Sequence, residues 1–359
     1  MKPAKRARFG NAACAALAVF FLCVSASRAQ TAALPTAATP EFRELVDEAG
    51  RTVRIPQPVR RIVSLAPSLT ETIYALGLQD RLVGDTDYCD YPPDAQKKHK
   101  VGGAINPSIE EIAALRPDLV LVAKSLNRLD TVHSLDSLGI PSYATDPHTV
   151  DQILTSTEKL ADVLGAPEAG AALTRDLQRR LAELQQRIAP LPLRRVFFVV
   201  WREPLISVGK DTFIADALRH AGAVSIVDSK QSWPQVNLEE VVKLQPDFLV
   251  FAESHSESAA RDLEALAELP GWRILDAVRN RRFAVISDAV NRPAPRIVSA
   301  IEDLARQLHP EAFLEKLESG RKMNQRENSL PPSAPPSPRA SLLSIPDHFA
   351  VAEECACAR

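Results

Sequence analysis

From Pro167 to Ala189 the apolar positions fall three or four apart, at Leu173, Leu177, Leu181, Leu184 and Ile188, with charged and amide side chains filling the positions between them. That spacing predicts an amphipathic helix with Pro167 in its first turn and Pro190 and Pro192 beyond its end, unbroken for roughly 30 Å at 1.5 Å per residue. On either side of it the chain repeats a pattern. Ser108 to Ala123 (SIEEIAALRPDLVLVA) and Asn237 to Ala252 (NLEEVVKLQPDFLVFA) each read as helix, Pro-Asp turn and continuously apolar strand. Each also follows a strand led by two arginines, RRIVSLA from Arg60 and RRVFFVV from Arg194. The expected fold is α/β, with two related Rossmann-like lobes joined by one long backbone helix.

The remaining patterns fill in that frame. Phe42 to Ile55 alternates around Gly50 as a β-hairpin, and Ile62 to Leu65 is a strand leading into a helix capped by Ser68 or Thr70 and ended at Gly77. A strand at Leu82 to Gly84 runs into DTDYCDYPP, Asp85 to Pro93, whose prolines and aspartates forbid a helix interior. Elements at 129–138, 142–145 and 150–164 complete the first lobe. The second lobe is expected to hold strands at 196–201, 248–251 and 283–286, helices near 259–269 and 297–308, and the loop QSWPQV at Gln231 to Val236. The expected divisions are a signal peptide at 1–29, a lead-in and hairpin at 30–59 and an N-terminal lobe at 60–166. The linking helix at 167–190, a C-terminal lobe at 191–318 and a disordered Pro/Ser-rich tail at 319–359 follow.

Charge and composition narrow the function. Lys2, Lys5, Arg6 and Arg8 precede an apolar run from Ala12 to Val24 and the small-x-small site Ser27-Arg28-Ala29, which predicts a cleaved secretory signal and a soluble periplasmic protein. A formal net charge of -2 leaves no basic excess for nucleic acid. Cys14 and Cys23 leave with the signal, so Cys89, Cys355 and Cys357 make no disulfide framework. The histidines, His99, His133, His148, His220 and His255 among them, lack metal-ligand spacing, and neither a phosphate loop nor a nucleophile elbow is present. No catalytic residue, resident metal or cofactor is expected, and the protein is not expected to be an enzyme.

Two sets of residues carry the candidate chemistry. Ser108 with Glu111, and Asn237 with Glu240, have capping-box spacing, which leaves Glu110 and Glu239 without a local partner. One free carboxylate per lobe suits docking onto a symmetric dimer bearing arginines; alternatively, both simply favour the positive end of a helix dipole. Ser68, Tyr88, Trp201, Trp233 and Arg292 fall in loops at strand ends, facing the expected inter-lobe cleft. Flat aromatic faces with a planar cation suit a large, flat, partly polar ligand. Tyr91 is a weaker candidate, and Trp272 is expected to pack in a core.

RRIVSLAPSLTETIYALG, DYCDYPP, INPSIEEIAALRPDLVLV, SWPQVNLEEVVKLQPDFLVF and NRPAPRIVSA together resemble the periplasmic solute-binding proteins of ABC importers in the helical-backbone (class III) group, which take up cobalamin, ferric siderophores and haem. The resemblance spans about Phe42 to Leu308 and is nearest to the cobalamin binders. It implies that Tyr88, Trp233 and Arg292 contact a corrinoid with Ser68 nearby, and that Glu110 and Glu239 dock onto the importer's transmembrane dimer. It implies a monomer carrying a small metal chelate. At Ala104 and Ala123 the cobalamin binders carry tryptophans instead, so haem (with Tyr88 as an axial phenolate) or a ferric siderophore stands as the alternative ligand. The two-lobed architecture is also shared with metal chelatases, the alternative from another class.

Overall fold

The computed structural model describes residues 41–252 and 265–314. The expected signal peptide, residues 253–264 with His255, and the tail with Cys355 and Cys357 lie outside the described residues. The chain divides into two compact units, one holding residues up to Pro147 with Ile153–Thr174, the other His148–Gln152 with Arg175 onward.

The first unit opens with β1 (Glu41–Val46) and β2 (Thr52–Gln57), the expected antiparallel hairpin. Its turn is built on Asp47, whose buried carboxylate accepts from the backbone N–H of Ala49 (3.0 Å) and Arg51 (2.8 Å) and pairs with the Arg51 guanidinium at 2.6 Å. Alternation turns Val53 and Ile55 into the core beside Ile62 and Leu121. Next come β3 (Ile62–Ser64), α1 (Pro67–Ala75), β4 (Leu82–Asp85), β5 (His99–Lys100), α2 (Ile109–Ala114), β6 (Leu119–Ala123), α3 (Leu129–Ser137) and β7 (Ser142–Thr145). The strands form one parallel sheet in the order β5-β4-β3-β6-β7. Both faces of β6 are covered, which is why Leu119 to Ala123 is apolar throughout.

The cap of α1 differs from expectation. Ala66 is the N-cap and Pro67 opens the helix, so Ser68 and Thr70 lie inside it. Proline's fixed φ suits the first turn, and its missing N–H costs nothing there. Thr70 is instead a buried link, its hydroxyl 2.9 Å from Ser64 Oγ and 3.2 Å from Cys89 Sγ.

Two helices follow, α4 (Val150–Val163) and α5 (Pro167–Ile188). The 22 residues of α5 form the expected amphipathic helix, roughly 33 Å long at 1.5 Å per residue. Leu177, Leu181, Leu184 and Ile188 are buried, each contributing about 1.5–3 kcal/mol, while Leu173 packs against the first unit's core. On its polar face Arg179 pairs with Asp176 (2.5 Å) and Glu183 (2.8 Å).

The second unit contains β8 (Arg194–Val199), the short antiparallel pair β9 (Trp201–Arg202) and β10 (Leu205–Ile206), α6 (Phe213–His220) and β11 (Ala223–Ser225). It continues with α7 (Leu238–Leu244), β12 (Phe248–Ala252), α8 (Asp276–Arg279), β13 (Phe283–Ile286) and α9 (Ile297–Leu308). Its parallel sheet runs β11-β8-β12-β13. Arg180 of α5 pairs with Glu302 of α9 at 2.8 Å, and that guanidinium hydrogen bond holds the Glu302 carboxyl below its ordinary pKa.

The sequence repeat has a physical counterpart in both units. Arg116 (φ 45) and Gln245 (φ 44) adopt the left-handed conformation just before Pro117 and Pro246, where the αR region is disfavoured. The aspartate after each proline then ties the turn to the neighbouring strand. Asp118 accepts from the N–H groups of Arg60 and Arg61 at 2.8 Å each, and Asp247 from Arg195 at 2.8 Å. This is one turn chemistry used twice.

Candidate functional site

In each parallel sheet the chain order reverses beside the first strand, between β3 and β6 in one unit and between β8 and β12 in the other. Loops leaving the carboxyl ends of strands diverge at such a point and leave room for a ligand. In the first unit Tyr88 stands on the loop after β4 and is 64% exposed. Its ring lies over Gly103, where an added Cβ would come within 3.8 Å of Tyr88 Cε2. Ser68, in the first turn of α1, is only 7% exposed. Ala104 and Ala123 are both buried.

The Tyr88 loop is held from below by a cation the sequence did not single out. Lys100 Nζ on β5 donates to Asp85 Oδ1 (2.7 Å), Cys89 O (3.2 Å) and Ala95 O (3.1 Å), gathering both ends of the loop. Asp85 is buried, and desolvation pushes its carboxyl up to about 6, with Lys100 pulling the other way. Cys89, also buried, has its thiol pushed up by desolvation. Its sulfur fills space between Thr70 and Thr86.

In the second unit the two candidate tryptophans share one small ribbon. Trp201 pairs across from Ile206, and Ile206 bridges antiparallel to Gln235. The ladder continues, because Ser207 N donates to Pro234 O (3.1 Å) and Gly209 N to Ser232 O (3.0 Å), which sets Trp233 across from Val208. Residues directly opposed in an antiparallel pair share a face, and alternate residues along a strand share a face. Trp201 and Trp233 therefore lie on the same side, their Cα atoms on the order of 10 Å apart by strand spacing and rise. Each is 51% exposed. Gly209 permits the ribbon's close approach, since a Cβ there would fall 1.8 Å from Gln231 O. Trp201 Nε1 donates to Glu203 O at 2.8 Å, which orients its indole. Trp272 is buried in the second unit's core, as expected.

Arg292 follows β13 and a short 3-10 turn, Asp288–Asn291. Its side chain is 15% exposed and pairs with Asp288 at 2.9 Å, and Arg296 joins the same carboxylate at 3.2 Å. Asp288 thus serves both guanidiniums in the turn after β13.

Glu110 and Glu239 occupy equivalent second positions of α2 and α7, and both are exposed. The reciprocal capping boxes expected beside them do not form. Ser108 Oγ accepts from Glu111 N (3.2 Å), but Ser108 N is already given to Val101 O and the Glu111 carboxylate turns to His99 Nε2 at 2.8 Å. Asn237 Oδ1 caps the N–H of Glu239 (2.9 Å) rather than that of Glu240, which donates to Asn237 O. Among the described residues no three His, Cys, Asp or Glu side chains gather as metal ligands. No helix of these residues is long and apolar enough to cross a membrane.

Parallel sheets with chain-order reversals, a duplicated turn and a long helix passing through both units define the class III periplasmic-binding-protein fold. Residues 62–290 match the family described as periplasmic binding protein, and the chain belongs to it. Members of this family bind small ligands for ABC importers; they are transport proteins. The vitamin B12-binding protein of Vibrio cholerae is 33% identical over 255 residues, covering 69% of this chain and 89% of its own length. A crystal structure of the periplasmic vitamin B12 binding protein BtuF of that organism superposes with a TM-score of 0.61 at 32% identity, covering 71% of this chain and 98% of the other. YvrC of Bacillus subtilis, an ABC transporter substrate-binding lipoprotein, is 31% identical over 77% of this chain and 89% of its own. The heme-binding protein RhuT of Roseiflexus sp. RS-1 gives a TM-score of 0.64 at 25% identity, over 71% and 99% of the two chains.

Proposed function

We propose that this protein binds a cobalamin-type corrinoid and delivers it to an ABC importer. The observation that carries the reading is the pair of half-exposed indoles on one face of the second unit's ribbon, with Arg292, after β13 of the same unit, as the candidate cation. Within the first unit, Tyr88 is an exposed ring after β4 and Ser68 follows β3 of the same sheet, and both are proposed as ligand contacts. Similarity to the Vibrio cholerae vitamin B12-binding protein supports the choice of corrinoid. Glu110 and Glu239 supply the importer-docking carboxylates, one from each copy of the repeat, where bidentate arginine contacts fix orientation. The export signal read in residues 1–29 makes the mature protein periplasmic.

A second ligand reading rests on Tyr88. An exposed phenol at a strand end is a ready axial ligand for haem iron, and RhuT supports this reading. The two separate by spectrum. Protein incubated with cyanocobalamin, hemin or a ferric siderophore and then desalted is expected to retain the corrin bands; a retained Soret band alone favours haem, and no retained chromophore removes both.

A further inference from the structure

Asn127 lies where the first unit's sheet changes direction, just beyond β6 and beside the end of β3, and nothing in its sequence context marks it. Its carboxamide is fully used. Oδ1 accepts from Ala123 N at 2.7 Å, while Nδ2 donates to Leu65 O at 2.9 Å and to Ala104 O at 2.7 Å. Its own N–H donates to Ala123 O at 2.8 Å. One side chain thus joins the end of β6, the turn between β3 and α1, and the segment between β5 and α2. The second of these leads into Ser68; the third carries Gly103, on which the Tyr88 ring lies. Only a carboxamide offers an acceptor and two donors in one plane, so neither aspartate nor an apolar isostere reproduces the junction.

We propose that Asn127 is a positioning residue of the ligand-binding face. It sets the spacing of three strand-end segments so that Ser68 and Tyr88 are presented together, without itself touching the ligand. The inference rests on the reading that these segments bind a corrinoid.

The test compares wild-type protein with Asn127→Leu and Asn127→Asp in two assays. Cyanocobalamin is titrated by calorimetry at pH 5 and pH 8, and backbone hydrogen exchange is followed by mass spectrometry on the unliganded proteins. Losing one to two net hydrogen bonds predicts roughly tenfold weaker binding for Asn127→Leu at both pH values. Asn127→Asp is expected to be at least as weak at pH 8, where its carboxylate faces two carbonyl oxygens, and to recover part of the loss relative to wild type at pH 5, where a protonated carboxyl donates again. Exchange in both variants should quicken at 65–68 and 102–106 and stay unchanged in the β1–β2 hairpin and the second unit. Binding by folded Asn127→Leu within twofold of wild type would overturn the proposal. So would faster exchange everywhere with the same affinity ratio at both pH values. Should wild type take up no cyanocobalamin, the corrinoid reading fails, and the exchange data alone decide the junction, with unchanged loop exchange overturning it.

Discussion

Replacing Trp233 with alanine removes one of the two indoles on the second unit's ribbon, and the structure sets the size of the effect. A tryptophan offers at most about 250 Å² to bury, so a ring that is 51% exposed keeps on the order of 120 Å² available for a ligand. At about 25 cal/mol per Å², full coverage contributes about 3 kcal/mol, and coverage of a single ring face roughly 1 kcal/mol. Trp233→Ala is therefore expected to weaken cyanocobalamin binding by about 1–3 kcal/mol, or roughly 5- to 150-fold. About half of the ring is covered by the fold, so truncation also costs the fold about 1–2 kcal/mol. Calorimetric titration with a thermal melt of the same sample separates the two losses. A folded variant binding cyanocobalamin as tightly as wild type would refute the placement of the ligand against this ribbon.

Reversing both docking carboxylates, Glu110→Lys with Glu239→Lys, is expected to abolish importer-dependent uptake while leaving ligand affinity within twofold; wild-type uptake by the double variant would remove the docking assignment. Burial raises Asp85 to about 6 in the folded chain against an ordinary 3.8, so the folded state binds that proton more tightly than the unfolded. Stability from this group is then present at low pH and lost as pH rises through 6, worth roughly 1 kcal/mol between pH 5 and pH 7. Asp85→Asn should flatten that part of the profile in urea melts at the two pH values, and an unchanged slope would contradict the assignment. Asp47→Ala strands the N–H groups of Ala49 and Arg51 and the Arg51 guanidinium, and is expected to cost about 2–4 kcal/mol in the same melts. A loss under 1 kcal/mol would show that the hairpin turn holds without it.

What could be read from the chain was whatever has a period or a local turn. The α5 stripe, the hairpin around Gly50 and the two Pro-Asp turns all came from spacing, because burial on one face of a helix or strand leaves a regular trace. Caps were less legible, since Ser68 and Thr70 are good N-cap types but Pro67 had already fixed the first turn one residue earlier. Capping-box spacing at Ser108 and Asn237 was real, yet its second half depended on whether the Ser108 N–H and the Glu111 carboxylate were free, and Val101 and His99 had taken them. Asp288 stands four residues before Arg292, a visible i,i+4 pair, but that the same carboxylate also takes Arg296 shows only in the folded turn. Lys100 and Asn127 left no trace, because most of their partners are backbone groups, as far as 62 residues away, and a backbone group has no sequence identity.

The central claim is that the exposed indoles on the second unit's ribbon bind a corrinoid. Isothermal titration of wild-type protein with cyanocobalamin tests it most directly. The account predicts saturable binding at one corrinoid per chain, lost in large part when Trp201 and Trp233 are both replaced by alanine. Absence of any heat or retained colour with cyanocobalamin, or equal binding by the double variant, would contradict it.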